Sequence, residues 1–462
     1  MTFTRKAFIL IGPVVAILFT LGLKQLGLEA SPATAAGITL LTVIWWVTEP
    51  IPIPATSLVP FALFPMFGIL DHKAVSAALG SHVILLLMGA FMLATALEKS
   101  GAHKRLAVYM VRLIGVSSGR RLVMGFMLAT GLLSMWISNS ASTVIMLPIA
   151  LAVLANVDNE KLRVALLLGI AYAASIGGIG TPIGTPPNVI FMGMYEEITG
   201  TELGFFAWMK IGVPVVVIAL PLTAFWLTRN VKLESEITLP TLGAWRREEI
   251  RTLAVFGLTA LAWMTRSSPY GGWSGFLGMP TIGDSTIALF AVVMMFLIPN
   301  GESGENRGRL LDWKTANSIP WGLLLLFAGG IAIAKGFTAS GLSDMLGAWL
   351  GSLANLPMLG MILTICLVVT YLTEITSNTA TAILLMPILA AVGVAMDIDP
   401  AILMIPAAMA ASCAFMLPVA TAPNALVYGL GNIKIGDMVR EGAVLSAVIS
   451  LIIGFVCYWL LV

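Results

Sequence analysis

Charged residues are scarce in this chain. Only 10% of its 462 residues are Asp, Glu, Lys or Arg, whereas soluble domains carry roughly 25%. Hydrophobic residues make up 58% of the chain, and the mean hydropathy is +0.97. A soluble protein of this length could not cover its surface with so few charges, so that class is excluded. The composition indicates a polytopic membrane protein that is solvated mostly by lipid.

Cysteine and histidine are scarce as well. Neither type shows the paired spacing of a disulfide framework or a zinc site, and only three residues of each occur: Cys366, Cys413, Cys457, His72, His82 and His103. The formal net charge of +2 argues against a nucleic-acid partner. No small-residue cleavage signal stands out around the first apolar run, which follows Arg5 and Lys6. We therefore interpret this run as a retained helix rather than a signal peptide.

Long apolar runs dominate the rest of the sequence. A transmembrane helix needs about 20 apolar residues, and charge gaps with Gly and Pro punctuation predict eleven such spans. They cover residues 8–27, 34–49, 51–70, 82–99, 164–195, 206–228, 250–268, 283–299, 319–338, 401–429 and 440–461. We expect an all-α polytopic fold with about eleven transmembrane helices.

Two further apolar stretches do not fit simple spans. Residues 122–157 carry no charge, have a polar Ser-Asn-Ser centre at 138–140 and are flanked by cations at both ends. Cationic flanks place both ends in the cytoplasm, which predicts a re-entrant hairpin with its polar tip inside the membrane. Residues 358–396 contain Glu374 beside Ser-Asn-Thr at 377–379 and lack cationic flanks. They predict a second hairpin that enters from the opposite face.

Lys and Arg are distributed unevenly between the two sides that these spans define. With the N-terminus in the cytoplasm, 20 of the 25 cations fall in cytoplasmic segments and five fall outside. This asymmetry is the usual signal of orientation. We predict a multi-pass protein of the inner (plasma) membrane with a cytoplasmic N-terminus and an outward C-terminus.

The two halves of the chain repeat each other. Features of residues 85–106 recur 240 positions later, the Ser-Asn pair at 138–139 recurs 239 later, and the Pro-Asn pair at 187–188 recurs 236 later. Each unit holds five spans and one hairpin, and because five is odd the halves should lie in opposite orientations. Inverted repeats are typical of secondary transporters. The predicted boundaries are an N-terminal helix at 1–33, a first repeat at 34–228, a cytoplasmic linker at 229–250 and a second repeat at 251–462.

Polar clusters interrupt the apolar helices at residues 138–140, 184–188, 377–379 and 420–424. Prolines break the helices in two of them, and a break frees carbonyls that can ligate a hard cation. None of the clusters holds Lys, Arg or His, so an anionic substrate would depend on co-bound cations such as sodium. A neutral substrate would need no such partner. The alternative, that these small polar residues only let helices pack closely, is weakened by the pairing of the clusters across the repeat.

Two acids lie at membrane depth, Glu49 and Glu374. Acids in such positions are functional candidates. Because Glu374 precedes Ser377 by three residues, we favour a structural role in bonding the hairpin backbone over direct ligation of an ion. Glu49 is compatible with a helix end near the membrane interface.

At these paired motifs the sequence resembles the divalent anion/sodium symporter family. The resemblance covers essentially the whole chain and includes residues 133–139 and 411–421. It implies uptake of C4-dicarboxylates, citrate or sulfate, with sodium as the coupling ion and no other cofactor. It also implies a homodimer in membrane lipid, in which each protomer combines a scaffold domain with a transport domain that moves like an elevator.

The resemblance further implies site residues. One sodium site would use Ser134, Ser138, Asn139 and the backbone at Gly184, and its counterpart would use Thr373, Thr376, Asn378 and the backbone at Ala420. The substrate carboxylates would meet Asn139, Ser140, Thr185, Asn378, Thr379 and Thr421. Two positions depart from the family pattern, since Ser140 stands in place of threonine and Ala422 stands where many members have proline. Both departures enlarge the pocket slightly and leave the identity of the anion open.

From these observations we expect sodium-coupled uptake of a succinate-like dicarboxylate by an elevator-type mechanism. The alternatives are a sodium-independent dicarboxylate exchanger and a sulfate or citrate carrier of the same fold. An enzyme is the least favoured class, because the spans contain no paired acids, metal-ligand cluster or nucleophile–base pair.

Overall fold

The computed structural model describes residues 3–155, 157, 159–231, 242–267, 271–303, 307–350, 357–431 and 433–462. The helices of the first half are α1 (Phe3–Gln25), α2 (Ala30–Thr48), α3 (Ile53–Thr56), α4 (Val59–Met66), α5 (His72–Leu79), α6 (His82–Ser100), α7 (Ala102–Ile114), α8 (Gly119–Ser134), α9 (Asn139–Leu154), α10 (Glu160–Gly178), α11 (Pro186–Thr199) and α12 (Phe205–Leu227).

The second half continues with α13 (Arg247–Thr265), α14 (Gly272–Phe276), α15 (Asp284–Leu297), α16 (Trp313–Ala316), α17 (Trp321–Ser340), α18 (Leu342–Leu350), α19 (Met358–Thr373), α20 (Asn378–Ala395), α21 (Ala401–Ala411), α22 (Ala422–Gly429) and α23 (Ile435–Leu461). Within the described ranges, eight helices are long and apolar enough to cross a membrane, and five shorter apolar helices accompany them. The expected all-α polytopic class is confirmed.

Two of the predicted spans are broken where proline was expected to break them. The span at 164–195 is divided into α10, which ends at Gly178, and α11, which begins at Pro186. The span at 401–429 is divided into α21, which ends at Ala411, and α22, whose second residue is Pro423. Proline has no N–H to donate, so it is tolerated in the first turn of the new helix and not in the middle of the old one.

The predicted span at 51–70 is wrong as a single helix. This segment forms α3 and α4, each of which has a proline in its first turn. Proline lacks the N–H that a continuous helix needs in its interior but is tolerated in a first turn, so the segment divides into two short helices. The predicted boundary at residue 33 also falls inside α2, which begins at Ala30. Residue 156 of the first predicted hairpin, residues 232–241 of the predicted linker and residue 268 of the seventh predicted span lie outside the described residues.

Each stretch predicted as a hairpin contains a pair of helices joined by a short polar turn. The first pair is α8 and α9, and the second is α19 and α20. The first pair packs closely against α10 at two glycines, since a Cβ on Gly177 would collide with the backbone of Gly131. A larger residue at this contact would push the hairpin away from the broken helix beside it.

Ion pairs mark two opposite ends of the helix bundle. At one end, which we call the linker end, Lys99 pairs with Asp312 at 2.6 Å, and Arg229 and Arg105 pair with acids of the second half. At the other, which we call the far end, His82 Nε2 lies 3.1 Å from Glu196. Helix α6 runs from His82 to the residue after Lys99 and so connects the two ends.

The two hairpins enter the bundle from opposite ends. The first leads into α10, whose first residue Glu160 lies 3.8 Å from Lys434, close to the start of α23 at the linker end. The second leads to Asp399, which accepts a hydrogen bond of 3.3 Å from Tyr195, beside Glu196 at the far end. Their polar turns therefore meet between the two ends.

Candidate functional site

The turn of the first hairpin presents a group of oxygen atoms around Asn139. The Ser134 hydroxyl lies 2.7 Å from Asn139 Oδ1 and 2.7 Å from the carbonyl of Ala174. Ser138 caps α9, because its hydroxyl accepts from the N–H of Ala141 at 3.2 Å. Ser134 is buried, whereas Ser138 is exposed and Asn139 is half-buried. The turn thus has a buried side toward α10 and an open side.

The amide of Asn139 faces three oxygen atoms. When its nitrogen points toward them, it donates to Gly184 O at 3.1 Å, to Ala174 O at 3.1 Å and to the Ser134 hydroxyl at 2.7 Å. When its oxygen points toward them, the four oxygens form an all-oxygen cluster, which is the ligand set that hard cations prefer. One side chain can therefore satisfy the carbonyls without an ion or join them as an ion ligand.

The turn of the second hairpin repeats this arrangement. The Thr373 hydroxyl lies 2.7 Å from Asn378 Oδ1 and 3.0 Å from the carbonyl of Ala411. The Thr376 hydroxyl lies 2.6 Å from that of Thr381 and donates to Leu372 O at 2.8 Å. Both contacts of Thr376 lie within its own hairpin.

Each broken helix is held open by an asparagine after its prolines. Asn188 donates to the carbonyls of Gly178 at 3.0 Å and Thr181 at 2.8 Å. Asn424 donates in the same way to Ala414 at 3.0 Å and to Leu417 at 3.1 Å. Sequence reasoning placed both residues in polar clusters without a role, and their role is to bind the carbonyls that the break leaves free.

Glu374 holds the broken helix of the second half rather than its own hairpin. The carboxylate, whose residue is 3% exposed, accepts from the backbone N–H of Phe415 at 2.7 Å, Met416 at 3.0 Å and Leu417 at 3.3 Å. It also accepts from the Ser446 hydroxyl at 3.1 Å. The favoured structural role is confirmed, but the expected partner was wrong. Glu49, the other acid, is the residue that ends α2, with φ of 46°.

The two turns and the two broken helices line one cavity of about 540 Å³. It brings together most of the site residues expected from the sequence, namely Ser138, Asn139, Ser140, Gly184, Thr185, Asn378, Thr379, Ala420 and Thr421. The side chains of Ser134 and Thr373 lie behind this layer, where they contact the asparagines, and Thr376 does not line the cavity. Thr185 also lies 3.3 Å from Ser412, which joins the two halves at the centre.

The cavity is nearly free of charge. Among the described residues that line it, Glu98 is the single ionisable one, and none is Lys, Arg or His. A larger cavity of about 680 Å³ lies among α1, α2, α17, α18 and α20. Its lining is almost entirely apolar, so it suits acyl chains rather than a polar solute.

The cavity opens toward the linker end. Thr95, Glu98, Ser318 and Pro320 line its mouth, and Glu98 precedes Lys99, which belongs to the ion pairs of that end. Sequence reasoning missed these mouth residues. These residue types are common near helix ends, and no sequence motif marks the face of α6 that turns toward the hairpin tips.

At the far end, ion pairs join α11 to α6 and to α17. Lys335 on α17 pairs with Glu197 on α11 at 2.5 Å. His82 on α6 lies 3.1 Å from Glu196, which is also on α11. Arg266 pairs with Glu202 at 3.0 Å. The exposed cavity residues at helix ends, Glu98, Ser318 and Pro320, therefore lie at the linker end and not at the far end.

Comparison with known proteins agrees with this architecture. Residues 4–462 match the family model of the sodium:sulfate symporter transmembrane region. A sodium-dependent dicarboxylate transporter, SdcS, of Staphylococcus saprophyticus is 40% identical, over 98% of this chain and 90% of the relative. Its namesake from Staphylococcus aureus is 39% identical over the same shares.

Solved structures support the fold alone. The YdaH transporter of Alcanivorax borkumensis is similar with a TM-score of 0.59 and 17% identity, over 84% of this chain and 87% of that chain. MtrF of Neisseria gonorrhoeae, described as representing a class of antimetabolite efflux pumps, is similar with a TM-score of 0.57 and 14% identity. The likeness to MtrF covers 86% of this chain and 84% of that one.

Proposed function

Because this chain belongs to the sodium:sulfate symporter family of membrane transporters, we propose that it takes up C4-dicarboxylates such as succinate together with sodium. The observation that carries the proposal is the pair of oxygen clusters around Asn139 and Asn378, which flank one cavity whose described lining has no basic side chain. Oxygen clusters suit a hard cation. A cation bound on each side of the cavity supplies the positive charge that a dianion needs.

The proposed sodium sites follow the two clusters. The first uses Ser134, Ser138, Asn139 and the carbonyl of Gly184; the second uses Thr373, Thr376, Asn378 and the backbone at Ala420. The substrate lies between them against Asn139, Ser140, Thr185, Asn378, Thr379 and Thr421. Each asparagine can offer its oxygen to sodium and its nitrogen to a carboxylate. Sodium is the only ion or cofactor that this scheme requires.

The charge balance predicts how the two ligands are coupled. Weak helix dipoles, each contributing about 0.3–1 kcal/mol at exposed sites, do not hold a dianion by themselves. Binding of sodium should tighten binding of substrate, and substrate should tighten binding of sodium by the same factor, since linkage is reciprocal. If more sodium charge than substrate charge moves, an inside-negative potential should accelerate uptake.

Alternating access follows from the ends of the bundle. We infer that the linker end is cytoplasmic, in accord with the positive-inside pattern, and that the N-terminus lies on the same side of the plasma membrane. In this scheme the hairpins and broken helices move as one transport unit against a scaffold that includes α6 and α17. The far-end ion pairs hold the inward-open state, and must separate when the unit moves. We propose an elevator-type movement in a homodimer, with the two inverted repeats contributing to both units.

Uptake of labelled succinate into proteoliposomes tests the function. With sodium outside, uptake should exceed that with potassium or choline, and the apparent affinity for succinate should fall as sodium is lowered. An inside-negative potential should increase the rate. Full uptake without sodium that ignores voltage would refute symport and favour a dicarboxylate exchanger, which counterflow would then detect. Preferential uptake of labelled sulfate or citrate would instead redirect the substrate assignment.

A further inference from the structure

Among the described residues, Glu98 is the one charged side chain on the wall of the central cavity. The cavity face of α6 consists of Leu87, Phe91, Ala94, Thr95 and Glu98, which recur every three or four residues and so lie on one stripe of the helix. The stripe is apolar at the depth of the hairpin turns and ends at the exposed carboxylate of Glu98, two residues before the end of α6.

The charge of Glu98 is not neutralised by its neighbours. Lys99, the next residue, is turned toward Asp312 at 2.6 Å, and the hydrogen bond from Lys99 lowers the pKa of Asp312 to about 2. That pair is therefore fully ionised and mutually compensated near neutral pH. Two other described cations close to this end of α6, Arg105 and Arg246, pair with Glu248 and Glu249. No basic group of the described chain pairs with Glu98 within 4 Å.

We propose that Glu98 is a charge-selecting residue at the mouth of the cavity, where it repels a substrate in proportion to the negative charge that the substrate carries. The inference rests on the proposed function, since it needs an anionic substrate that passes the mouth. Its consequence is twofold. A dianion that has lost its sodium ions is discouraged from rebinding from this side, and a trianion is disfavoured more than a dianion.

The expected size of the effect follows from Coulomb's law. Two unit charges roughly 10 Å apart in a water-like medium change an equilibrium by about twofold. Glu98 should thus weaken the binding of a monoanion, a dianion and a trianion by about twofold, fourfold and eightfold. At physiological ionic strength the Debye length is about 8 Å, so most of this effect should disappear in salt.

The test compares Glu98→Gln with the wild type in binding experiments on the purified full chain. The ligands are monomethyl succinate, succinate and tricarballylate at pH 8, which carry one, two and three negative charges. Sodium is held at one low concentration while choline chloride is varied. At low ionic strength Glu98→Gln should bind the three ligands about twofold, fourfold and eightfold more tightly, and these ratios should shrink toward one in high salt.

Two variants serve as controls. Glu98→Asp keeps the charge and should bind like the wild type. Glu160→Gln removes an exposed acid at the same end that lies outside the cavity, and should leave all three affinities unchanged. Graded tightening by Glu98→Gln alone supports the inference.

Other outcomes separate the inference from the function. Equal shifts for all three ligands, or shifts that persist in high salt, would mean a structural role and overturn the inference, as would no shift at all. If the wild type binds no dicarboxylate but binds sulfate or nothing, the proposed function fails, and the charge selection of dicarboxylates fails with it.

Discussion

The two hairpin turns share their ligand groups but differ in how the neighbouring broken helix is held. In both, a hydroxyl lies 2.7 Å from the amide oxygen of an asparagine, Ser134 with Asn139 and Thr373 with Asn378. In the first half Thr181 donates to the carbonyl of Met135. The position related to Met135 by the repeat is Glu374, whose carboxylate instead accepts from the N–H groups of the second broken helix.

This difference indicates which part of the repeat is tied to function. The hydroxyl–amide pair recurs with the same distance. At the break, the acceptor on the hairpin changes from a backbone carbonyl to a side-chain carboxylate, and the donor changes from a side-chain hydroxyl to backbone N–H groups. A neutral hydrogen bond contributes about 0.5–1.5 kcal/mol, and one to a charged group about 1.5–3 kcal/mol. The hydrogen bonds of Glu374 therefore hold the second broken helix more strongly than the Thr181–Met135 hydrogen bond holds the first.

Removal of either shared amide should have the largest effect and should be equal in the two halves. Asn139→Ala and Asn378→Ala each lose a proposed ion ligand and a proposed donor to a substrate carboxylate. Two interactions of about 1.5–3 kcal/mol each correspond to a loss of succinate uptake of roughly a hundredfold or more. Uptake into proteoliposomes measures the loss.

Asn230→Ala is the matched control, because Asn230 is exposed near the linker end and lies outside the central cavity. This variant should transport like the wild type. The three alanine variants, at Asn139, Asn378 and Asn230, should elute at the same volume from a sizing column. Wild-type rates in both Asn139→Ala and Asn378→Ala would move the site elsewhere. Loss in one variant alone would show that the halves are not equivalent.

Removal of the contacts that hold the two broken helices should have the next largest effect, and the effect should differ between the halves. In Glu374→Gln an NH₂ group replaces an oxygen that accepts from Met416 and Leu417, so donor faces donor. We expect a melting temperature lower by several degrees and uptake reduced about thirtyfold, since roughly 2 kcal/mol is lost. Thr181→Val removes one neutral hydrogen bond of about 1 kcal/mol and should reduce uptake only a few-fold. Equal losses in the two variants would contradict the asymmetry.

The sequence was informative where chemistry and spacing coincide. The polar tips, the proline breaks and the paired asparagines could all be located, because polar residues within apolar runs are costly and proline cannot continue a helix. The constant offset between the halves then linked the two hairpins. These are local features, so they require no knowledge of which helix faces which.

What could not be predicted depends on packing between distant segments. The backbone partners of Glu374 lie more than 40 residues away, in the break between α21 and α22, and nothing in its own hairpin indicates that direction. Glu98 is an ordinary acid near a helix end until α6 is placed against the hairpin turns. The division of 51–70 into α3 and α4 was missed because its apolar composition outweighed its prolines in the search for spans.

The hydroxyls behind the asparagines offer a test of smaller effect. Ser134→Ala and Thr373→Val each remove one hydrogen bond of 2.7 Å to an asparagine amide. A loss of about 1 kcal/mol should raise the sodium concentration for half-maximal uptake roughly fivefold. The maximal rate at saturating sodium should change little. Thr373→Ser keeps the hydroxyl and should resemble the wild type, and a changed sodium requirement in only one half would break the equivalence of the two ion sites.

The smallest effect is expected where the halves differ by one methyl group. Ser140 and Thr379 are related by the repeat and both line the cavity, so Ser140→Thr makes the first turn match the second. Succinate is small relative to a cavity of about 540 Å³, and its apparent affinity should change by less than about twofold. A bulkier anion such as citrate competes for the space of the added methyl, and a methylene-sized clash of about 1 kcal/mol should weaken its inhibition of succinate uptake about fivefold.

Thr379→Ser is the reciprocal control and should shift the ratio of citrate affinity to succinate affinity in the opposite direction. If succinate and citrate lose affinity equally in Ser140→Thr, the methyl acts on the hairpin and not on the substrate, and the space left by Ser140 plays no part in the choice of anion.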